Sequence, residues 1–274
     1  MNMQQPGGAR GVRLPRRCIL TRRPLTGFYM PAIKKGDRFF NNQGCEYEVL
    51  NYGGSTDVLI RFLDSSAHEA IVASYMIRDG KIRNPFHPVV YGIGYCGAGE
   101  FSPSKSGRDT KEYTHWINMM RRCYGPVDMP QYDGCVVHPD WHNFQNFARW
   151  LTKQPGWGQE GYELDKDIIE PGNRVYGPET CSYVPLILNR ATLVRGQNGL
   201  PVGVSWDKEK RKYLVQVNIG GGKRKFIGRF DNPIDAFGAY KEFKESFIKQ
   251  LASTYQTFIG ESCYKALIRY QVKP

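Results

Sequence analysis

Three consecutive glycines, Gly220-Gly221-Gly222, stand between two short runs that read as strands. Tyr213-Leu-Val-Gln-Val-Asn-Ile219 alternates with a period of two and is rich in β-branched and aromatic residues; Lys223-Arg-Lys-Phe-Ile-Gly-Arg-Phe230 follows the glycines. The glycines supply the freedom in φ that a tight hairpin needs. The alternation sets Tyr213, Val215, Val217 and Ile219 on one face and Leu214, Gln216 and Asn218 on the other. Asp231-Asn232-Pro233 is a helix start, and Ala236, Tyr240, Phe243 and Phe247 then form an apolar stripe that would pack on the sheet. With a first strand near Val202-Gly-Val-Ser-Trp206, residues 201–252 predict three strands braced by one helix.

Between Lys208 and Arg229 the chain carries eight Lys/Arg and one acid, Glu209. Like charges on one sheet repel each other unless a polyanion neutralises them, and released counterions then drive association. A sheet can also enter the major groove of DNA. There Gln216 and Asn218 suit adenine and Arg224 suits guanine, with Lys208, Lys212 and Lys223 as further DNA-binding candidates. The competing reading is a solvated hairpin with ordinary surface lysines.

The residues Gly203-Val204, Lys212-Tyr213-Leu-Val-Gln-Val, Arg224-Lys-Phe-Ile-Gly-Arg-Phe230 and Asp235-Ala-Phe-Gly-Ala-Tyr240 resemble the Apetala-type, or ethylene-response-factor, DNA-binding domain. The resemblance covers about fifty residues. Carried across, it implies base or phosphate contacts at Ser205, Asp207, Gln216, Asn218, Arg224 and Phe226. Several of these positions are arginine or tryptophan in the plant proteins, which implies a different sequence preference here.

The formal charge of +12 over 274 residues points the whole chain toward nucleic acid. No apolar run approaches a membrane span, and the basic N-terminus lacks the apolar core of a secretory signal. The seven cysteines are odd in number and scattered, which suits free thiols in a reducing, cytoplasmic compartment. The expected partner is double-stranded DNA, with neither a membrane nor a small-molecule substrate.

Residues 1–35 hold eight Lys/Arg and no acid, and read as a flexible basic arm. Residues 36–96 turn β-rich, with strands expected at Arg38–Phe40, Glu46–Leu50, Asp57–Phe62 and Glu69–Ala73; a small barrel-like module is the expectation. A Gly/Ser-rich joint follows from Gly97 to Gly107.

Residues 110–195 form a central module. Lys111–Tyr124 predicts a helix with Trp116, Met120 and Cys123 inward and Arg121 and Arg122 flanking the stripe. A second helix begins near Asp140, and Tyr162 to Asn189 reads strand, loop, strand, helix. Residues 253–274 are left as a tail. The fold class expected is therefore α+β and multi-domain: a barrel-like module, a helical plus ββα module, and a three-stranded sheet with its helix.

Trp116-x-x-Met119-x-x-Arg-Cys-Tyr124, Trp141-x-x-Phe144-x-x-Phe147-x-x-Trp150, Leu164-Asp-Lys-Asp167, Tyr176-x-Pro-Glu-Thr-Cys181 and Val184-Pro185 resemble the central region of free-standing His–Asn–His (HNH) endonuclease-like proteins of bacteriophages. The resemblance implies metal-assisted cleavage of duplex DNA, in the cytoplasm of a bacterial host. That finger uses a histidine near the end of its first strand as base. Asp165 stands where that histidine is expected, and no histidine follows His142.

Two substitutes are available. Asp165 and Asp167, alternate residues on a strand, would face one way and hold Mg²⁺ or Mn²⁺, with Asn173 or Glu179 as further oxygen donors. Otherwise His138 or His142 would serve as base. Against both, Asp165-Lys-Asp167 reads equally as a surface charge pattern or a loop-capping device, and His138-Pro-Asp-Trp-His142 as the flank of a helix cap. Arg121 and Arg122 would hold the DNA backbone. The sequence thus leaves two functions: a metal-dependent endonuclease with a targeting domain, or a DNA-binding protein without cleavage that regulates or blocks a host factor.

Overall fold

The computed structural model describes residues 32–126, 129–193 and 199–273. It is an α+β chain of several small sheets and α-helices of 5 to 22 residues. Most of the basic arm lies outside the described residues. No helix among those described is long and apolar enough to cross a membrane.

Four antiparallel strands, β1 (Arg38–Phe40), β2 (Glu46–Gly54), β3 (Asp57–Phe62) and β4 (Glu69–Val72), form a meander in the order β1-β2-β3-β4. Closing a barrel would require its two edges to pair. Here the edge strands are three and four residues long, remain at opposite margins, and carry the exposed Phe40 and Ile71. The barrel-like expectation is therefore corrected to an open sheet. Its alternation buries one face only: Val58, Ile60 and Phe62 join Tyr47, Val49 and Val72 under the short helix α1 (Ser74–Arg78).

The glycine- and serine-rich joint is an anchored strap. It contains a two-residue hairpin, β5 (Ser104–Lys105) and β6 (Arg108–Asp109). The buried Gln145 donates to the carbonyls of Cys96 and Phe101 and accepts from Phe101 N at 3.0 Å. A buried amide with three satisfied bonds fixes a segment whose composition alone suggests freedom.

Helix α2 (Lys111–Tyr124) starts at Thr110, whose hydroxyl accepts from Tyr113 N. It buries Trp116, Met119 and Met120 against α3 (Phe144–Thr152). Between these helices lie β7 (Val136–Val137) and a 3-10 turn, Pro139–His142. Strand β8 (Tyr162–Asp165) is shorter than its sequence suggests. It pairs with β10 (Ser182–Pro185), which leads into α4 (Leu186–Thr192). The intervening β9 (Val175–Tyr176) runs parallel to β7.

The C-terminal unit has β11 (Val204–Asp207), β12 (Lys212–Gly220) and β13 (Lys223–Phe230) in the order β11-β12-β13, backed by the 22-residue α5 (Pro233–Thr254). All three hairpin glycines adopt positive φ: 92°, 60° and 73°. Val204, Val215, Val217, Ala236 and Tyr240 form the core between sheet and helix.

Residues 253–273, expected as a tail, are integral to the fold. A 3-10 turn and α6 (Glu261–Ile268) bury Ile259, Cys263 and Leu267 against Val184 and Leu188 of the central module and Ile248 of α5. Val272 joins the core of the C-terminal sheet. The last two modules thus share one hydrophobic cluster.

Candidate nucleic-acid interface

Register across the C-terminal sheet decides which side chains share its outer face. Val204 pairs with Val215 and Val215 with Gly228, which defines the inner row against α5. The alternate rows face outward: Ser205, Leu214 and Arg229; Asp207 and Lys212; Gln216 and Phe226; Asn218 and Arg224. A bulge between Val215 and Gln216 keeps Phe226 and Arg229 on this same face by absorbing one residue of β13.

Seven residues singled out from the sequence therefore lie together: Ser205, Asp207, Lys212, Gln216, Asn218, Arg224 and Phe226. Gln216, Asn218, Arg224 and Phe226 are exposed. Lys223 is exposed at the hairpin end. Lys208 lies in the exposed turn between β11 and β12, where Arg211 adopts φ 51°. Lys225, opposite Val217, falls on the reverse row. The cations are thus concentrated on one face and its two end turns, without all lying on it.

Carboxylates temper this charge. Lys212 Nζ is 3.2 Å from Asp231, and Arg229 Nε is 2.8 Å from Asp207. Among the described residues Arg224 makes no ion pair. Asp207 is anchored twice: its Oδ1 accepts from Glu209 N and Lys210 N, and its Oδ2 from Arg229. Hydrogen bonding from Arg229 holds its carboxyl below the usual range. An ionised Asp207 would be repelled by phosphate, so its place on this face is that of an anchor for Arg229. Arg229 itself was missed because nothing local in the sequence pairs it with Asp207, twenty-two positions away.

The proposed carboxylate site looks different. Asp165 ends β8 and is buried; its Oδ1 accepts from Asp167 N at 2.9 Å and Ile168 N at 2.7 Å. Burial pushes its carboxyl pKa up. The strand stops there, so the alternation that would align Asp165 with Asp167 is broken: Asp167 is exposed. Asp167 instead takes both its oxygens to the buried Lys166 ammonium, at 2.8 and 2.9 Å. Lys166 also donates to the Asn173 carbonyl at 2.7 Å. The Asn173 amide donates to the carbonyls of Lys166 and Val175 and its oxygen accepts from Val175 N. Glu179 stands exposed in the turn before β10.

The two histidines are likewise engaged with backbone. His142 Nε2 donates to the Val137 carbonyl at 3.0 Å, and His138 Nδ1 accepts from Asp140 N at 3.3 Å, capping the 3-10 turn. Among the described residues no group of three or more His, Cys, Asp or Glu side chains comes together to hold a metal ion. The expected Mg²⁺ or Mn²⁺ donor set of Asp165, Asp167, Asn173 and Glu179 does not fit a cation: one carboxylate caps a loop, one neutralises a lysine, and the asparagine oxygen is committed to backbone.

Arg121 and Arg122 also part company. Arg121 is exposed, whereas Arg122 turns inward with its guanidinium 5.4 Å from the Tyr132 ring centroid. Only Arg121 remains available to a phosphate backbone. Elsewhere, a cavity of about 960 Å³ beside the four-stranded sheet is lined by His68, Lys81, Arg83 and His87 among others, with no carboxylate in its wall.

No family model, no curated protein and no solved structure matches this chain.

Proposed function

We propose that the protein binds duplex DNA through the outer face of its C-terminal sheet. In this reading its central module, which resembles that of phage HNH endonuclease-like proteins, is a support rather than a nuclease. The observation that carries the reading is the common face shared by Ser205, Lys212, Gln216, Asn218, Arg224 and Phe226 across three registered strands. Amides on a helix-backed sheet offer the donors and acceptors that base edges require, and Arg224 and the end-turn cations offer phosphate contacts. From Asp207 to Asp231 eight Lys/Arg face three acids, so the surplus remains positive after both ion pairs are formed.

Cleavage is the weaker reading because the loop from Asp165 to Val175 consumes its own donors. The test combines two measurements on the full chain: duplex binding by fluorescence anisotropy, and nicking of supercoiled DNA with Mg²⁺ or Mn²⁺. The reading requires salt-sensitive binding without nicking. Metal-dependent nicking that disappears in Asp165→Ala but survives in His142→Ala would instead establish a carboxylate nuclease.

A further inference from the structure

Arg229 starts on β13, an edge strand, yet its guanidinium meets Asp207 on β11, the opposite edge. Neighbouring strands lie about 4.8 Å apart, so the side chain crosses the central strand diagonally over the outer face. Two contacts fix it there. Its Nε donates to Asp207 Oδ2 at 2.8 Å, and its Cζ stands 5.3 Å from the centroid of the Phe226 ring. Asp207 is itself pinned by the two turn amides it caps.

The exposures differ in a telling way: 13 % for the Asp207 side chain and 39 % for that of Arg229. The carboxylate sits behind and the guanidinium in front. Because Nε makes the hydrogen bond to Asp207, the terminal Nη donors remain uncommitted among the described contacts. A guanidinium held from behind through Nε presents its two Nη groups as a fork, the geometry that matches guanine O6 and N7. Fixing the rotamer before binding also removes ordering that a free arginine would undergo on contact. Arg224, by contrast, pairs with no carboxylate among the described residues and lies beside the exposed glycine turn, a placement suited to phosphate.

We propose that Arg229 is a base-reading side chain of this face, selecting guanine, and that Asp207 is its positioning residue. The assignment rests on the DNA-binding reading and adds a residue and a base to it. It also explains an acidic side chain on a surface meant for a polyanion: Asp207 serves the arginine, and the phosphates never meet it.

The test is selection of bound duplexes from a randomised pool with the full chain, followed by affinities for every single-base change in the selected site. The wild type should show one G·C pair whose replacement weakens binding roughly 5- to 150-fold. Arg229→Lys keeps the charge but loses the fork, so it should flatten preference at that one pair while the salt dependence stays parallel to the wild type. Asp207→Asn should weaken the same preference, and a merely structural role for Asp207 would leave the preference intact. A site without a guanine requirement, or one whose guanine requirement survives Arg229→Lys, overturns the assignment while leaving DNA binding standing. Absence of any duplex binding by the wild type overturns both.

Discussion

The ring of Tyr240 lies directly over Gly203, where an added Cβ would come 2.2 Å from Tyr240 Cδ2. Gly203 also has φ +77°, a conformation that an L side chain adopts only at a cost. This contact fixes how β11 approaches α5, and therefore where Ser205 and Asp207 stand on the outer face. Gly203→Ala should destabilise the protein by about 2–3 kcal/mol or more, since overpacking and backbone strain add. Urea denaturation followed by fluorescence checks this; an unchanged midpoint would show that the ring and strand can separate freely.

Asp165 yields a comparison between two substitutions. Asp165→Ala strands the Asp167 and Ile168 amides and should cost about 2 kcal/mol or more. Asp165→Asn retains an acceptor for both amides and should cost less. The sign of the pH effect follows from burial. A carboxyl whose folded pKa is raised stabilises the protein most below its unfolded pKa, and that contribution is lost as pH rises through the folded value. Denaturation curves across the acid range should show this component in the wild type and not in Asp165→Asn. Equal stability of the alanine and wild-type chains would refute the capping role.

His115 gives the opposite pH signature. Its ring Nε2 is 3.4 Å from the Tyr183 hydroxyl, and burial, aided by Arg122, lowers its pKa. A depressed histidine contributes stability above its unfolded value, near 6.5, that is lost as pH falls. The melting temperature of the wild type should therefore drop on acidification below about pH 6.5, and His115→Phe should lessen the drop. Parallel pH profiles for the two chains would contradict the assignment.

The anchored strap predicts that Gln145→Ala destabilises the joint between the sheet module and the helical module. Losing three bonds to buried backbone should cost about 1–3 kcal/mol. Hydrogen exchange is the direct readout: the Phe101 amide, which donates to Gln145, should lose protection ahead of α2. Protection equal to that of the wild type would mean the strap is held by other contacts.

The parts legible in the sequence were those with local causes. Helix α2 runs over Lys111–Tyr124 as its stripe predicts, and the β12–glycine–β13 hairpin follows from alternation interrupted by three glycines. The outer-face residues were legible for the same reason, because period-two alternation fixes side once register is fixed. The rest depended on partners remote in sequence. Arg122 turns inward because Tyr132 waits for it, and Arg229 crosses the sheet because Asp207 is anchored on the far strand. The C-terminal residues looked like a tail because α6 is only eight residues long; the surface that buries Cys263 and Leu267 comes from α4 and α5. Asp165 and Asp167 looked like a pair only on the assumption that β8 continues, and it ends at Asp165.

The most direct measurement is the affinity of the full chain for a duplex across a salt series, wild type against Arg224→Ala. Affinity should fall steeply between about 50 and 200 mM salt, and the variant should bind more weakly with a slope shallower by about one. Binding that ignores salt, or an Arg224→Ala chain that matches the wild type throughout, would contradict the account.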